Sequence, residues 1–332
     1  MRTARHLSPA LLGAVLVLTS CGAPDGGEPE AEPTAQEASH TCGVSEPDPD
    51  RPTVGDGTFP VTVTGATGEV TIEEAPERIV SLSPSHTEML FAIGAGDQVE
   101  AADEYSDYPE EAPTTSLSGF EPSVEAITEY DPDLVLLARS AEASAEQLDA
   151  VGIPSLVIDA AADLEDTYAQ IRMLGDVTGH TEEADAEADR VESEFNAIVE
   201  NVCERTEGGL TFYQELDETS YAATSDTFVG DVYESFGLVN IADAADEDGA
   251  AGGYPQLSQE YVVEQNPDLI FLSYGDESTV AEVAGRPAFD TVTAVRNDAV
   301  YLLDADIASR WGPRVVEFAD TVGQAVIENA GR

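Results

Sequence analysis

Two stretches of the chain are close copies of each other: EAITEYDPDLVLL at residues 125–137 and EYVVEQNPDLIFL at residues 260–272. They match without a gap at six of thirteen positions and begin 135 residues apart. Each copy reads as a helix, a turn that contains Pro, and a short apolar strand. Because an element that occurs twice is most simply explained by a repeated architecture, the sequence predicts two similar α/β lobes.

The segments around the repeat alternate strands with helices. Residues 60–72 alternate apolar and polar side chains, which predicts a hairpin. An apolar run at residues 78–82 predicts a buried strand, followed by a turn over residues 83–85 and a helix over residues 87–93. Strands separated by helices are typical of parallel sheets with both faces covered.

A long helix is predicted between the two copies. Apolar residues keep helical spacing from Thr181 to Cys203, and two Glu follow Thr181 in the first turn. A helix that is the only connection between two lobes limits their relative motion and leaves a cleft between them. The predicted organisation is an N-terminal lobe over residues 54–180, a linking helix over residues 181–204 and a C-terminal lobe over residues 205–332.

The first residues read as an export signal followed by a tether. Residues 1–20 combine two Arg with an apolar run that is too short to remain as a transmembrane helix. The run ends in LTSC followed by Gly, which resembles the bacterial lipobox and predicts a lipid on Cys21; an ordinary signal peptide with a chance Cys is the alternative. Residues 21–53 are rich in Pro, Glu, Asp and Gly, which predicts a flexible acidic tether.

Two further cysteines, Cys42 and Cys203, would share an oxidising compartment after export. The sequence leaves open whether they form a disulfide or stay as free thiols. Neither has a His or another Cys beside it, so a metal site built on this pair is disfavoured.

The chain is strongly acidic, with 67 Asp and Glu against 13 basic residues, all of them Arg, and a formal net charge of −54. Such a surface repels nucleic acids and acidic lipid headgroups, which excludes both as partners. The acids are spread along the chain, which is typical of a solvated coat suited to high salt; specific cation binding is the alternative. Hydrophobic residues make up 42 %, enough for a substantial core.

Enzyme motifs are missing from the sequence. It contains no G-x-S-x-G, P-loop, H-E-x-x-H or G-x-G-x-x-G pattern. The predicted lobes hold only His86 and His180, too few for a metal site built on histidines. His86 is predicted to precede a helix, where it could line a cleft or serve as a cap or packing group. The sequence therefore predicts a protein that is not an enzyme; a two-lobed extracellular hydrolase would need a nucleophile and base that we do not find.

Four segments carry a family resemblance: RIVSLSPSHTEMLFAIGAGDQVEAADEYSDYPEEA from Arg78, VEAITEYDPDLVLL from Val124, GYPQLSQEYVVEQNPDLIFL from Gly253 and SRWGPRVVEFADTV from Ser309. In this order they resemble the substrate-binding proteins of ABC importers for cobalamin and ferric siderophores. YSDYP is particularly similar to the cobalamin-binding branch. The resemblance implies two Rossmann-like α/β lobes with parallel sheets, joined by one long helix, and a ligand cleft between them.

The resemblance also implies a function and partners. It implies an extracytoplasmic protein that captures a metal chelate, either a corrinoid or a ferric siderophore, and delivers it to an ABC permease dimer with its ATPase. The metal would arrive already chelated, so no cofactor and no bond between protein and metal are expected. A monomer that touches the membrane only through its lipid is expected. A receptor domain that senses its ligand without transporting it is the alternative.

Two glutamates of the repeat match the residues with which relatives dock on the permease. Glu125 and Glu260 each precede a Pro-Asp-Leu strand, and relatives use Glu at these positions to form salt bridges with permease Arg residues. Equivalent charges on both lobes would let the permease recognise the lobes by their separation. Two ordinary exposed acids are the alternative.

The resemblance further implies a set of ligand contacts. Aromatic faces would bury apolar area against a macrocycle, and polar groups would orient it. Cobalamin binders place Trp where this chain has Tyr254 and Phe120, and Ala138 replaces another aromatic residue. In a siderophore binder, Arg310, with Arg139, would pair with an anionic chelate, whereas Arg314 is expected to brace nearby carboxylates. The predicted ligand-binding residues are Tyr105, Tyr108, Phe120, Tyr221, Tyr254, Asp306 and Arg310.

Overall fold

The computed structural model of the chain describes residues 42–44 and 57–331. The predicted signal segment and Cys21 lie outside the described residues, and so does the predicted tether except for residues 42–44. Within the residues described, none of the helices combines the length and the apolar composition that crossing a bilayer requires.

The N-terminal lobe is a five-stranded parallel sheet with helices, preceded by an antiparallel hairpin. The order in the sheet is β5-β4-β3-β6-β7. The hairpin joins the lobe where the amide of Ala66 donates to the carbonyl of Val157, at 2.7 Å. The strands are β1 Val61–Gly65, β2 Gly68–Ile72, β3 Ile79–Leu82, β4 Val99–Asp103, β5 Thr114–Leu117, β6 Leu134–Ala138 and β7 Ser155–Ile158. The helices are α1 Pro84–Ala92, α2 Val124–Thr128, α3 Ala145–Ala150 and α4 Leu164–Thr178.

A 23-residue helix, α5 (Thr181–Cys203), follows the N-terminal lobe. Its range is the one that the apolar spacing predicts. The buried stripe includes Ala188, Val191, Phe195 and Val199, and the opposite face is acidic and solvated. One core cluster runs from the N-terminal sheet through this stripe into the C-terminal lobe, so α5 is packed against both lobes.

The C-terminal lobe has a four-stranded parallel sheet in the order β11-β10-β8-β9. Every pair of neighbouring strands in it is parallel. The strands are β8 Thr211–Glu215, β9 Val239–Asn240, β10 Leu269–Leu272 and β11 Val300–Leu302. The helices are α6 Phe228–Ser235, α7 Gln259–Gln265, α8 Glu277–Ala284, α9 Thr293–Arg296, α10 Ala305–Ser309 and α11 Val315–Asn329. The predicted fold class, two α/β lobes with parallel sheets and a joining helix, is confirmed.

The repeated sequence forms the same local structure in both lobes. Asp133 accepts the amide of Arg78 at 3.0 Å, and Asp268 accepts the amide of Thr211 at 2.9 Å. Each Asp therefore fixes the start of the first parallel strand of its lobe. The turn residues Asp131 and Asn266 are both left-handed, with φ of 48° and 52°, a conformation that Asp and Asn tolerate better than most residues.

The strand orders determine where a ligand can bind. In each sheet successive strands are added first on one side of the first strand and then on its other side, and this first strand is β3 in one lobe and β8 in the other. In open parallel sheets, ligands bind outside the carboxyl ends of the strands at such a switch point. By this rule the loops after β3 and β6 in one lobe, and after β8 and β10 in the other, flank the switch points. The loops after β4, β5, β9 and β11 leave the same carboxyl edges of the two sheets.

The cysteines at the two ends of a long segment form a disulfide, Cys42 to Cys203, with a Cα–Cα distance of 5.5 Å. The next residue, Gly43, donates its amide to the carbonyl of Ser235 at 3.0 Å. The disulfide thus attaches Cys42 to the end of α5, and the hydrogen bond attaches Gly43 to the end of α6 in the C-terminal lobe.

The predicted turn over residues 83–85 is wrong, because α1 already begins at Pro84. Proline is favoured in the first helical turn, where its missing amide costs nothing. His86 consequently lies inside the helix and is buried, so it neither caps α1 nor lines the cleft. Neither ring nitrogen finds a hydrogen-bond partner among the residues that the structure describes.

We expect acid to destabilise the fold through His86. Burial lowers the pKa of its imidazole from 6.5 to about 4. The unfolded chain therefore takes up a proton that the folded chain refuses, and this contribution to stability is lost as the pH falls from 6.5 towards 4. When the pH falls from 8 to 5, the free energy of unfolding of wild type should fall by about 2 kcal/mol more than that of His86→Leu. Urea denaturation at both pH values measures the two changes. Parallel pH profiles of the two proteins would contradict this assignment.

Candidate functional site

Five exposed aromatic side chains lie in loops at the carboxyl ends of the strands. Among the described residues, seven large hydrophobic side chains are exposed, and five of them are predicted ligand contacts. An exposed aromatic side chain leaves apolar area in contact with water, and a ligand that covers this area gains binding free energy. The five are Tyr105 after β4, Phe120 after β5, Tyr108 in the YSDYP loop, and Tyr221 and Tyr254 in the loops after β8 and β9.

The N-terminal side of the site is formed by Tyr105 and Phe120. Their rings meet edge to face, with centroids 6.3 Å apart. Asp103, at the end of β4, positions the loop, because its carboxylate accepts the amide of Tyr105 at 2.9 Å and the hydroxyl of Ser106 at 2.6 Å. A hydrogen-bonded loop therefore presents Tyr105 to solvent, and Phe120, in the loop after β5, is 67 % exposed.

The C-terminal side carries Tyr221 and Tyr254 on two paired segments. Ala222 donates its amide to the carbonyl of Pro255 at 2.9 Å, and a β-bridge joins Tyr221 to Gln256. These bonds hold the two tyrosine-bearing loops together. In the part of the chain that the structure describes, no ring contact joins this pair to Tyr105 or Phe120.

Asp306 and Arg310, two of the predicted ligand contacts, lie where the two lobes meet. Asp306 lies in α10 and accepts from Arg310 at 2.6 Å, one helical turn away. The same guanidinium donates to Asp107 at 3.2 Å and to the carbonyl of Tyr105 at 3.1 Å, both in the N-terminal lobe. The Arg310 side chain is only 12 % exposed, whereas both carboxylates face solvent. Its charge is therefore already compensated by two acids.

Arg314 braces a carboxylate, as expected, but the carboxylate is not close in the sequence. Arg314, at the start of α11, binds Glu88 of α1, which lies in the other lobe and 226 residues away. Its guanidinium also lies over the Tyr108 ring, 3.8 Å from the centroid. Burial raises the pKa of Glu88 even though Arg314 acts in the opposite direction. Sequence spacing gives no signal for a pair this far apart.

Tyr108 is placed apart from the other aromatics. Besides its contact with Arg314, it lines a cavity of about 760 Å³ that α1, α5 and the start of α11 also border. Six carboxylates and two Arg line this cavity. A direct contact between Tyr108 and ligand stays a prediction.

Arg139 does not join Arg310. It follows β6, donates to the carbonyl of Ala66 at 2.8 Å, and lies 3.3 Å from Glu142 and 3.4 Å from Asp159. These partners hold it beside the hairpin. The predicted cooperation of the two Arg residues in binding an anion has no support in this arrangement.

The predicted docking residues occupy equivalent positions. Glu125 and Glu260 lie in the first turns of α2 and α7, behind the capping residues Ser123 and Ser258. Both side chains are exposed, and neither forms an ion pair with another described residue. Each is therefore free to bind a cationic partner.

The described residues offer no place for a bare metal ion. Across residues 42–44 and 57–331, no group of three or more His, Cys, Asp or Glu side chains is placed to hold one. The exposed aromatic rings offer apolar area to a ligand, and Asp107, Asp306 and Arg310 offer polar groups beside Tyr105.

Comparisons with known proteins show which family and fold the chain resembles. A model of the periplasmic binding protein family matches residues 79–307. The chain is 30 % identical over 277 residues to the ABC transporter substrate-binding lipoprotein YvrC of Bacillus subtilis, covering 81 % of this chain and 86 % of the relative. It is 30 % identical over 269 residues to a cobalamin-binding protein of Halobacterium salinarum, covering 78 % and 72 %. The fold matches the periplasmic vitamin B12 binding protein BtuF of Vibrio cholerae with a TM-score of 0.62 and 25 % identity, over 76 % of this chain and 96 % of the other.

Proposed function

This chain belongs to the periplasmic binding protein family, and we propose that it captures a corrinoid outside the cell and delivers it to an ABC permease. Proteins of this family bind and do not catalyse, so the chain is a transport component and not an enzyme. The observation that carries the proposal is the set of exposed aromatic rings at the carboxyl ends of the strands of both lobes. A macrocycle placed among them would cover apolar area that is otherwise open to water.

The charge of the site favours a corrinoid over an anionic ferric siderophore. Arg310 is the cation of the site, and Asp107 and Asp306 already neutralise it. A carboxylate or catecholate chelate would have to displace one of these acids, and it would approach a chain with a net charge of −54. A neutral cyanocobalamin meets neither cost. The relatives named for cobalamin and vitamin B12 support the same choice.

Delivery and anchoring complete the proposal. ABC substrate-binding proteins work with a membrane permease and its ATPase, and Glu125 and Glu260 are our proposed contacts with that permease. We also propose that Cys21 carries a lipid that holds the protein at the outer face of the cell membrane. The LTSC-Gly sequence and the lipoprotein relative support this anchor.

Removing an exposed ring should weaken corrinoid binding. Tyr105→Ala and Phe120→Ala each remove an aromatic face from the N-terminal side, and we expect each to cost about 2 kcal/mol, roughly a 30-fold rise in Kd. Isothermal titration of the full-length protein in detergent with cyanocobalamin measures the change. Val151→Ala is the matched control, because Val151 is also exposed but lies after α3, away from the site. Equal affinities of all three variants and wild type would place the ligand elsewhere.

A further inference from the structure

Two contacts lie side by side where the lobes meet, and their environments differ. Asp107 and Arg310 form a pair whose carboxylate is 62 % exposed. Glu88 and Arg314 form a pair in which the carboxylate is 4 % exposed and the guanidinium 14 % exposed. Solvent can replace the partners of the first pair, whereas a carboxylate as buried as Glu88 depends on its partner.

The buried contact uses several features of the local sequence at once. Glu88 Oε2 accepts from Nε of Arg314 at 2.9 Å, and Oε1 accepts from the Arg314 backbone amide at 3.1 Å. The backbone two residues before Arg314 also approaches Glu88, since a Cβ on Gly312 would lie 3.3 Å from Glu88 Oε1. The other surface of the guanidinium stacks on Tyr108. Arg supplies the planar fork and the stacking face together, which Lys cannot do.

The position of these residues links them to the ligand loops. Tyr108 follows Asp107 directly, in the loop that begins with Tyr105. Arg314 lies four residues after Arg310, across the Trp311-Gly312-Pro313 segment. The contact between Tyr108 and Arg314 therefore also sets how close the Tyr105 loop comes to Arg310.

We propose that Glu88, Tyr108 and Arg314 form a permanent contact between the lobes, which we call the clasp. The clasp positions the Tyr105 loop against the Arg310 segment before any ligand binds. Arg314 is thus a positioning residue for ligand capture. The neighbouring Asp107–Arg310 pair is the weaker of the two contacts, because its carboxylate is open to solvent.

The clasp makes a prediction about binding kinetics. Only molecules whose lobes are already positioned are competent to bind. The apparent affinity of the protein is proportional to the fraction of molecules in this state. Loss of the clasp should therefore slow association and leave dissociation of the bound ligand unchanged. A residue that touched the ligand would show the reverse, and one that only stabilised the fold would change neither rate well below the melting temperature.

The direct test measures the separation of the lobes without ligand. Spin labels at Val151→Cys and Glu282→Cys, in full-length protein carrying Cys21→Ser, report on the two lobes by electron double resonance, because both positions are exposed. The parent protein should give one narrow distance peak. In Arg314→Met, a broad distribution or a second peak should replace the narrow peak. Arg314→Lys and Tyr108→Leu should lose part of the narrow peak. The exposed control Arg296→Lys should keep the narrow peak unchanged. Folding of each variant is checked by circular dichroism and Tm.

Stopped-flow binding of cyanocobalamin supplies the second readout, which rests on the proposed function. Arg314→Met should associate about tenfold more slowly than wild type with the same dissociation rate, and Arg314→Lys should lie between the two. A single narrow peak in Arg314→Met and Tyr108→Leu, or faster dissociation with unchanged association, would overturn the clasp. If wild type binds no corrinoid, the proposed ligand is wrong, and the ligand-free distances still decide the clasp.

Discussion

Reversing both docking charges, Glu125→Arg with Glu260→Arg, should abolish ligand uptake while ligand affinity stays unchanged. The two side chains are exposed, lie in equivalent helical turns of the two lobes, and pair with no described residue. Arg at these positions would repel the permease cations that we expect opposite them, and like charges across an interface cost several kcal/mol. Uptake by cells or proteoliposomes that contain the cognate permease and ATPase should fall at least about 100-fold.

The repeat itself provides a matched control for this experiment. Glu129 and Glu264 are the second pair of acids that the two copies share, and both are exposed. They lie at the ends of α2 and α7 instead of in the first turns. Glu129→Arg with Glu264→Arg changes the net charge equally and should retain most uptake. An equal loss of uptake in both double variants would mean that only the net charge matters. A large loss of ligand affinity in Glu125→Arg with Glu260→Arg would mean that these two residues belong to the binding site.

The second large effect concerns the buried pair of Glu215 and Arg286 in the C-terminal lobe. Arg286 donates to both carboxylate oxygens of Glu215 at 2.6 Å, and the carboxylate is completely buried. Tyr274 also donates to this carboxylate, and burial together with that bond raises the pKa of Tyr274 to about 12. Arg286→Met leaves the charge of Glu215 without its partner, so we expect the free energy of unfolding to fall by about 3–5 kcal/mol. Urea denaturation at pH 7 measures the loss.

The double variant separates the pair from its individual members. Replacing both partners, Glu215→Gln with Arg286→Met, removes the buried charge altogether, and most of the lost stability should return. An Arg286→Met protein within about 1 kcal/mol of wild type would show that water or a neighbouring group compensates Glu215.

The fold was predictable because its signals are local. The helical spacing of α5 and the apolar strands of the repeat lie within windows of a few turns or one strand, where periodicity determines the structure. The copies at residues 125–137 and 260–272 then extended those local signals to two lobes. What the repeat did not reveal is the reason for its identities: Asp133 and Asp268 each fix the first strand of a lobe, 55 and 57 residues away in the chain.

The candidate site was predictable only as a set of residues. The resemblance selected aromatic residues that the structure leaves exposed at the strand ends, and it selected Asp306 and Arg310, which form a contact. The contacts between lobes could not be predicted, because Asp107 with Arg310 and Glu88 with Arg314 are more than 200 residues apart and no sequence pattern links them. The burial of His86 was missed for a local reason, the start of α1 at Pro84.

The central claim is corrinoid capture, and the most direct measurement is the fluorescence of Trp311, the only Trp in the chain, which lies between Arg310 and Arg314. Full-length protein in detergent is titrated at high salt with cyanocobalamin and with ferric hydroxamate, catecholate and carboxylate siderophores, with correction for ligand absorbance. We predict saturable quenching by cyanocobalamin near one equivalent and none by the siderophores. Saturation by one siderophore class, with no response to cyanocobalamin, would contradict the proposed ligand.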